Sequence, residues 1–171
     1  MKRRGIIDSV TTQETSHEAL HDKVREAVDW TRGEYYEKAI EVFEKYLPVL
    51  SSEGDLPDKR VAAGCFSHYG LCLAMVRHKY AEALKYCNIS IKANFMEPDH
   101  RINLALIYLE RDDRKMAVKN LEAGLRLQPS NKRIHRIFGE LGRRQRVAVG
   151  FLNRKNPINV ALGKIRVPKS D

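Results

Sequence analysis

The sequence predicts an all-α chain of antiparallel helix pairs stacked in series and closed by a capping helix. Three observations predict it. A small residue recurs at Ala39, Ala83 and Ala117 inside segments of related pattern, the last two 34 residues apart and the first two 44. Each segment follows a stretch of apolar residues at helical spacing. Helix start signals agree, with Thr15 and Glu18 as a capping box before the first pair and Pro98 suited to the first turn of the third. The 171 residues are 43% hydrophobic, enough for one core, and the longest apolar runs span only a few residues. Neither a secretory leader nor a membrane span can be assembled from such runs, and three cysteines, an odd number, fit reduced thiols, so a cytoplasmic protein is expected.

Residues 1–14 read as an N-terminal arm. Thr15 with Glu18 then forms a capping box, and Leu20, Val24, Ala27 and Val28 follow at helical spacing. Gly33 to Ile40, with Phe43 four after the alanine, supplies the partner helix. The ten extra residues before the second copy fall in Pro48 to Arg60, where Ser51 to Asp58 has the chemistry of a loop. Phe66, Tyr69, Leu73 and Val76 open the second pair, and Lys79 to Leu84 with Cys87 and Ser90 closes it. Pro98 suits the first turn of the third pair, where Ile102, Leu104, Ala105, Tyr108 and Leu109 lead to Asp112 to Val118, Leu121, Gly124 and Pro129. Alanine at 39, 83 and 117 lets two helix backbones cross closely; a larger side chain there would splay the pair.

A helix pair repeating at 34, with Leu104-Ala105, Tyr108, Ala117, Leu121 and Pro129 in order, resembles the tetratricopeptide repeat family. The second unit carries Tyr69-Gly70, Tyr80, Glu82 and Ala83, with about one extra residue at its inter-helix turn. The first carries Trp30, Gly33, Tyr36 and Ala39 but lacks the leucine-glycine pair. The resemblance implies a short right-handed TPR-like superhelix of three pairs over 15–130. It also implies a concave groove lined by the first helix of each pair, with positions that include Val24, Val28, Gly64, Ser67, Leu71, Ala74, Asp99, Ile102, Leu106 and Leu109. Family members that grip a chaperone's C-terminal carboxylate use lysines, asparagines and an arginine. The matching positions here are Val24, Val28, His68, Asp99 and Asn103, too poor in donors for that specialised task.

Residues 131–146 read as a capping helix with Ile134, Ile137, Phe138 and Leu141 on one face, since an open stack must keep its last apolar face out of water. Residues 147–171 form a basic segment, in which Asn156, Pro157 and Gly163 bound a short helix. Its Phe151, Leu152, Ile158, Val160, Leu162 and Ile165 are expected to dock on the body or on a partner. Charge divides at the same place: residues 1–130 hold 20 basic and 20 acidic residues, and 131–171 hold 11 basic residues against Glu140 and Asp171, the whole of the +9 net charge.

Chemistry is sparse. Cys65, His68 and Cys72 share a helical face, with Cys87 or His78 as a conceivable fourth ligand, but that face packs equally well inside a helix pair and lacks tight Cys-x-x-Cys pairing. No phosphate-cradling glycine loop, nucleophile elbow or His-Glu-x-x-His is present, so no enzyme, cofactor or small-molecule substrate is expected. The expected function is that of an adaptor whose groove takes a peptide or helix of another protein, with Val24, Val28, Leu71, Ala74, Ile102, Asn103, Leu106 and Leu109 in contact. Two alternatives stand beside it. The basic patch of Arg143, Arg144, Arg146, Arg154, Lys155, Lys164 and Arg166 would dock the body on nucleic acid, ribosome or anionic membrane. The layout is also similar to small bacterial secretion chaperones, although those are usually acidic.

Overall fold

The computed structural model describes residues 4–52 and 56–143, with side chains described over 18–52 and 58–142. The described residues form seven helices and no strand: α1 (Arg4–Arg32), α2 (Tyr36–Ser52), α3 (Leu56–Arg77), α4 (Tyr80–Ala93), α5 (Pro98–Glu110), α6 (Arg114–Leu127) and α7 (Lys132–Arg143). The chain divides into two compact units, 1–130 and 131–171. In the first, each helix from α1 to α6 packs on the next, and α1, α3 and α5 also pack side by side. This is the repeat-like all-α architecture that the spacing predicts.

The repeat is written most plainly in its turns. Residues of positive φ stand five before each alanine: Glu34 at 67°, His78 at 54° and Asp112 at 61°. Tyr35 N–H reaches back five residues to the Trp30 carbonyl at 2.9 Å, and Asp113 N–H reaches back five to Tyr108 at 2.8 Å. In the second pair Lys79 N–H reaches back six, to Leu73 at 3.2 Å. One residue has been added to a conserved geometry of closure, in which orphan carbonyls of the first helix are satisfied by amides beyond its end.

Ala39, Ala83 and Ala117 are fully enclosed, as are Phe43, Cys87 and Leu121, one turn further on in α2, α4 and α6. At α3 and α4 the approach is closer still. A Cβ built on Gly70 would lie 2.7 Å from the Ala83 carbonyl oxygen, so the backbones meet where only glycine fits. Ser90 of α4 reaches into α3 as well: its hydroxyl accepts from Ser67 N–H and donates to the Ala63 carbonyl, both at 2.7 Å. The hydroxyl thereby serves both ends of one step of the α3 ladder, and Cys87 Sγ adds a long contact of 3.6 Å to the Ser67 carbonyl.

Two expectations are corrected. The N-terminal arm is not separate from α1, which begins at Arg4 and carries Thr15 and Glu18 within it, so these residues are not its cap. Nor do the described residues of 51–58 form a loop. α2 continues through Ser52 with Pro48 inside it, and α3 resumes at Leu56 and runs 22 residues against 13 for α5. The insertion lengthens helices because the added turns have something to bury: Leu47 and Leu50 in α2, Ala62 in α3, and Asp58, which pairs with His21 of α1. Other helix starts follow the sequence. Pro98 sits in the first turn of α5 behind the capping Glu97, Asp113 Oδ1 caps α6 through Met116 N–H at 3.0 Å, and Asn131 Oδ1 accepts from Ile134 N–H at 3.1 Å. In α7, taken by itself, Ile134, Ile137 and Leu141 are buried and share one face.

Candidate functional site

The first helices of the three pairs enclose a cavity of about 210 Å³, lined by Val28 and Arg32 of α1, Gly64, Cys65 and His68 of α3, and Asn94, Glu97, Asp99 and His100 around the start of α5. Its floor lies at Gly64, where an added Cβ would find no atom within 4 Å. Across it runs an ion pair between residues 67 apart in sequence: Arg32 Nε and Nη2 donate to Asp99 Oδ2 at 2.9 and 2.7 Å. Arg32 Nη1 also donates to Asp29 Oδ1 at 3.0 Å, so one guanidinium is held by two carboxylates.

Beneath this pair lies a short polar chain. Asn103 Nδ2 donates to Ser67 Oγ at 3.2 Å, and Ser67 Oγ is 2.8 Å from His100 Nδ1. A hydroxyl that accepts from the amide directs its own proton to Nδ1, which leaves the imidazole protonated at Nε2. That Nε2 is buried without a hydrogen-bond partner, and so is Asn103 Oδ1. Burial lowers the His100 pKa below the usual imidazole value and outweighs Glu97 and Asp99, which act the other way. The site therefore combines a neutral donor and a guanidinium with two carboxylates, suited to a ligand that both donates and accepts. On the surface between Asn94 and Glu97, Phe95 and Met96 are 66% and 58% exposed, two of three large apolar side chains left so open among the described residues.

The predicted groove residues divide. Val24, Leu71, Ala74, Ile102 and Asn103 are 0% exposed. α3 packs on α1, α2, α4 and α5 at once. Val28 is half-buried and lines the cavity; Leu106 and Leu109 are half-buried on α5. Arg32, Asn94, Glu97 and His100 were not singled out by sequence, because their relation to Val28 and Gly64 depends on contacts 30 to 70 residues away. Arg143 ends α7 with its side chain undescribed, and Arg144, Arg146, Arg154, Lys155, Lys164 and Arg166 lie outside the described residues.

On the cysteine and histidine face of α3, Cys65 and His68 line the cavity and Cys72 is fully enclosed. Cys72 Sγ lies 3.4 Å from the Thr31 hydroxyl, all three thiols are free and buried, and among the described residues no group of three His, Cys, Asp or Glu is placed to hold a metal. No helix among the described residues is long and apolar enough to cross a membrane. A second cavity of about 260 Å³ lies between α2 and α4 over α3, lined mainly by aromatic rings. Comparison with protein-family models and with curated proteins gives no match to this chain.

Proposed function

We propose that the chain is a non-catalytic, tetratricopeptide-like adaptor that docks a peptide segment of another protein at the cavity above Gly64. The 34-residue period and the recurring left-handed turn residue support the family reading. The observation that carries the docking reading is the open floor at Gly64 beside a buried, unpartnered His100 Nε2. A peptide group offers both a carbonyl for that N–H and an N–H for the Asp99 or Glu97 carboxylate, and the exposed Phe95 and Met96 give its side chains an apolar anchor at the rim. Three free thiols fit a reducing, cytosolic setting.

The test is selection of binding peptides from a displayed library, followed by titration against the wild type and Gly64→Leu. The leucine side chain enters open space, so the fold is retained while the floor is filled. Peptides selected on the wild type are expected to lose at least tenfold in affinity for the variant, with an unchanged circular dichroism spectrum. Peptides that bind both proteins equally would remove the cavity from the function.

A further inference from the structure

The second cavity is built differently from the first and carries a site of its own. Phe43, Phe66, Tyr69 and Tyr86 form a continuous aromatic group, with centroids 6.1 Å apart for Phe43–Tyr69, 5.2 Å for Phe66–Tyr86 and 5.1 Å for Tyr69–Tyr86. All four line the cavity, and so do Glu44 and Pro48 of α2. Ring faces carry partial negative charge and attract cations. Glu44 adds a full negative charge, and Glu82 lies close enough to Tyr69 to act on its hydroxyl.

Pro48 adds a third acceptor. It sits inside α2, one turn after Glu44, and has no N–H to return to the Glu44 carbonyl. The Glu44 carbonyl therefore lacks its usual partner one turn on, on the helix stripe that carries both residues. The Pro48 carbonyl itself is served: the Ser51 and Ser52 hydroxyls donate to it at 3.2 and 2.6 Å. Arg77 forms a long ion pair with Glu44 Oε2, at 3.6 Å from the end of α3, with both side chains about half exposed, and it also acts on the Tyr69 hydroxyl against Glu44 and Glu82. Four aromatic rings and the Glu44 carboxylate residue thus line one space, whose only other polar lining side chains are hydroxyls.

We infer that this cavity binds a guanidinium, the side chain of an arginine presented by a partner protein. A planar guanidinium lies on an aromatic face while its edge donates to oxygens in its own plane, which matches a ring wall beside the Glu44 carboxylate and carbonyl. The neutral alternative, an apolar side chain, uses the rings but leaves both oxygens unanswered.

The experiment titrates the full chain with N-acetyl-arginine amide and with its uncharged isostere, N-acetyl-citrulline amide, following the ring resonances of Tyr69 and Tyr86 by NMR. The arginine derivative is expected to shift both rings saturably, and the citrulline derivative to bind at least about tenfold more weakly, the scale of a desolvated cation–π contact. Glu44→Gln is expected to weaken the arginine derivative about threefold or more. Pro48→Ala supplies the missing N–H, so it is expected to weaken binding while leaving the melting temperature equal or higher, a combination that general damage to the fold does not produce. Equal binding of citrulline, shifts that miss Tyr69 and Tyr86, or affinities indifferent to both Glu44→Gln and Pro48→Ala would overturn the assignment.

Discussion

Gly70 of α3 and the Ala83 carbonyl of α4 stand so close that no side chain fits between them, whereas Gly64, six residues earlier on α3, faces open space. One helix thus holds two glycines for opposite reasons. Gly70→Ala places a Cβ 2.7 Å from a backbone oxygen that cannot rotate away, and is expected to cost about 2 to 3 kcal/mol by forcing the helices apart. Gly64→Ala meets nothing and removes a helix-interior glycine, so it is expected to stabilise by about 0.5 to 1 kcal/mol. Urea unfolding with an unchanged slope checks both; equal effects at the two positions would contradict the packing described.

Ser90→Ala probes the hydroxyl that serves the α3 ladder. The variant leaves Ser67 N–H and the Ala63 carbonyl to re-form their own bond across a gap the size of the lost oxygen. A loss of about 1 to 2 kcal/mol is expected. Ser90→Thr keeps the hydroxyl but adds a methyl group at a fully enclosed position, and is expected to cost a comparable amount. If the alanine variant is as stable as the wild type, the ladder closes without help.

The alanines were legible because a helix crossing demands smallness at a fixed place, and smallness is visible in a sequence. The turn residues were not: Glu34, His78 and Asp112 adopt positive φ without being glycine, so nothing in their identity marks the conformation. Residues 51–58 misled for a related reason. Serine, aspartate and proline make loops, but they also end and start helices, and Pro57 stands in the first turn of α3. The groove was less legible because an apolar residue on an inner helix serves a core as well as an open face. Five of the eight expected contacts are fully buried, and Asp99, an expected groove position, meets Arg32 through a pairing across separate helices that no local pattern shows.

His78 offers a gain in stability. Its φ of 54° costs an L-residue about 1 to 2 kcal/mol relative to glycine, and part of that is returned when glycine's greater freedom in the unfolded chain is counted. His78→Gly forfeits an exposed 3.2 Å contact with the Tyr80 hydroxyl and a ring contact with the same tyrosine at 6.1 Å between centroids. A net gain of about 0.5 kcal/mol is expected, and His78→Ile, β-branched, is expected to lose more than 1 kcal/mol. Thermal unfolding of the two variants side by side decides it.

The thiols set an alkaline limit. Burial pushes Cys65 and Cys72 up to about 12 and raises Cys87 as well, against an ordinary value near 9. Above that value the unfolded chain releases thiol protons that the folded chain retains, so stability falls as pH rises, by up to about 1.4 kcal/mol per pH unit for each thiol. Below pH 8 the thiols are expected to react with Ellman's reagent at least a hundredfold more slowly in native protein than in urea. Fast labelling of native protein at pH 7.5 would show that α3 and α4 open far more readily than their packing implies.

His100 sets the corresponding acid limit. Its imidazole is 3% exposed, accepts from Ser67 at Nδ1, and faces Glu97 and Asp99 on its own segment, Arg32 of α1, and Cys65 and His68 of α3 around the cavity. Burial, the largest influence, lowers its pKa; the two carboxylates oppose this, and one of them, Asp99, is paired with Arg32. The unfolded chain therefore takes up this proton first as pH falls below about 6.5, and the folded state loses stability on acidification, by at most about 1.4 kcal/mol per pH unit from this group. His100→Gln keeps a polar side chain without an ionisable group. The difference in unfolding free energy between wild type and H100Q, measured by urea titration from pH 7.5 to 5.0, is expected to shift steadily against the wild type as pH falls. Parallel profiles would mean that His100 binds its proton equally well in both states, and that the burial of its ring is not what the cavity wall implies.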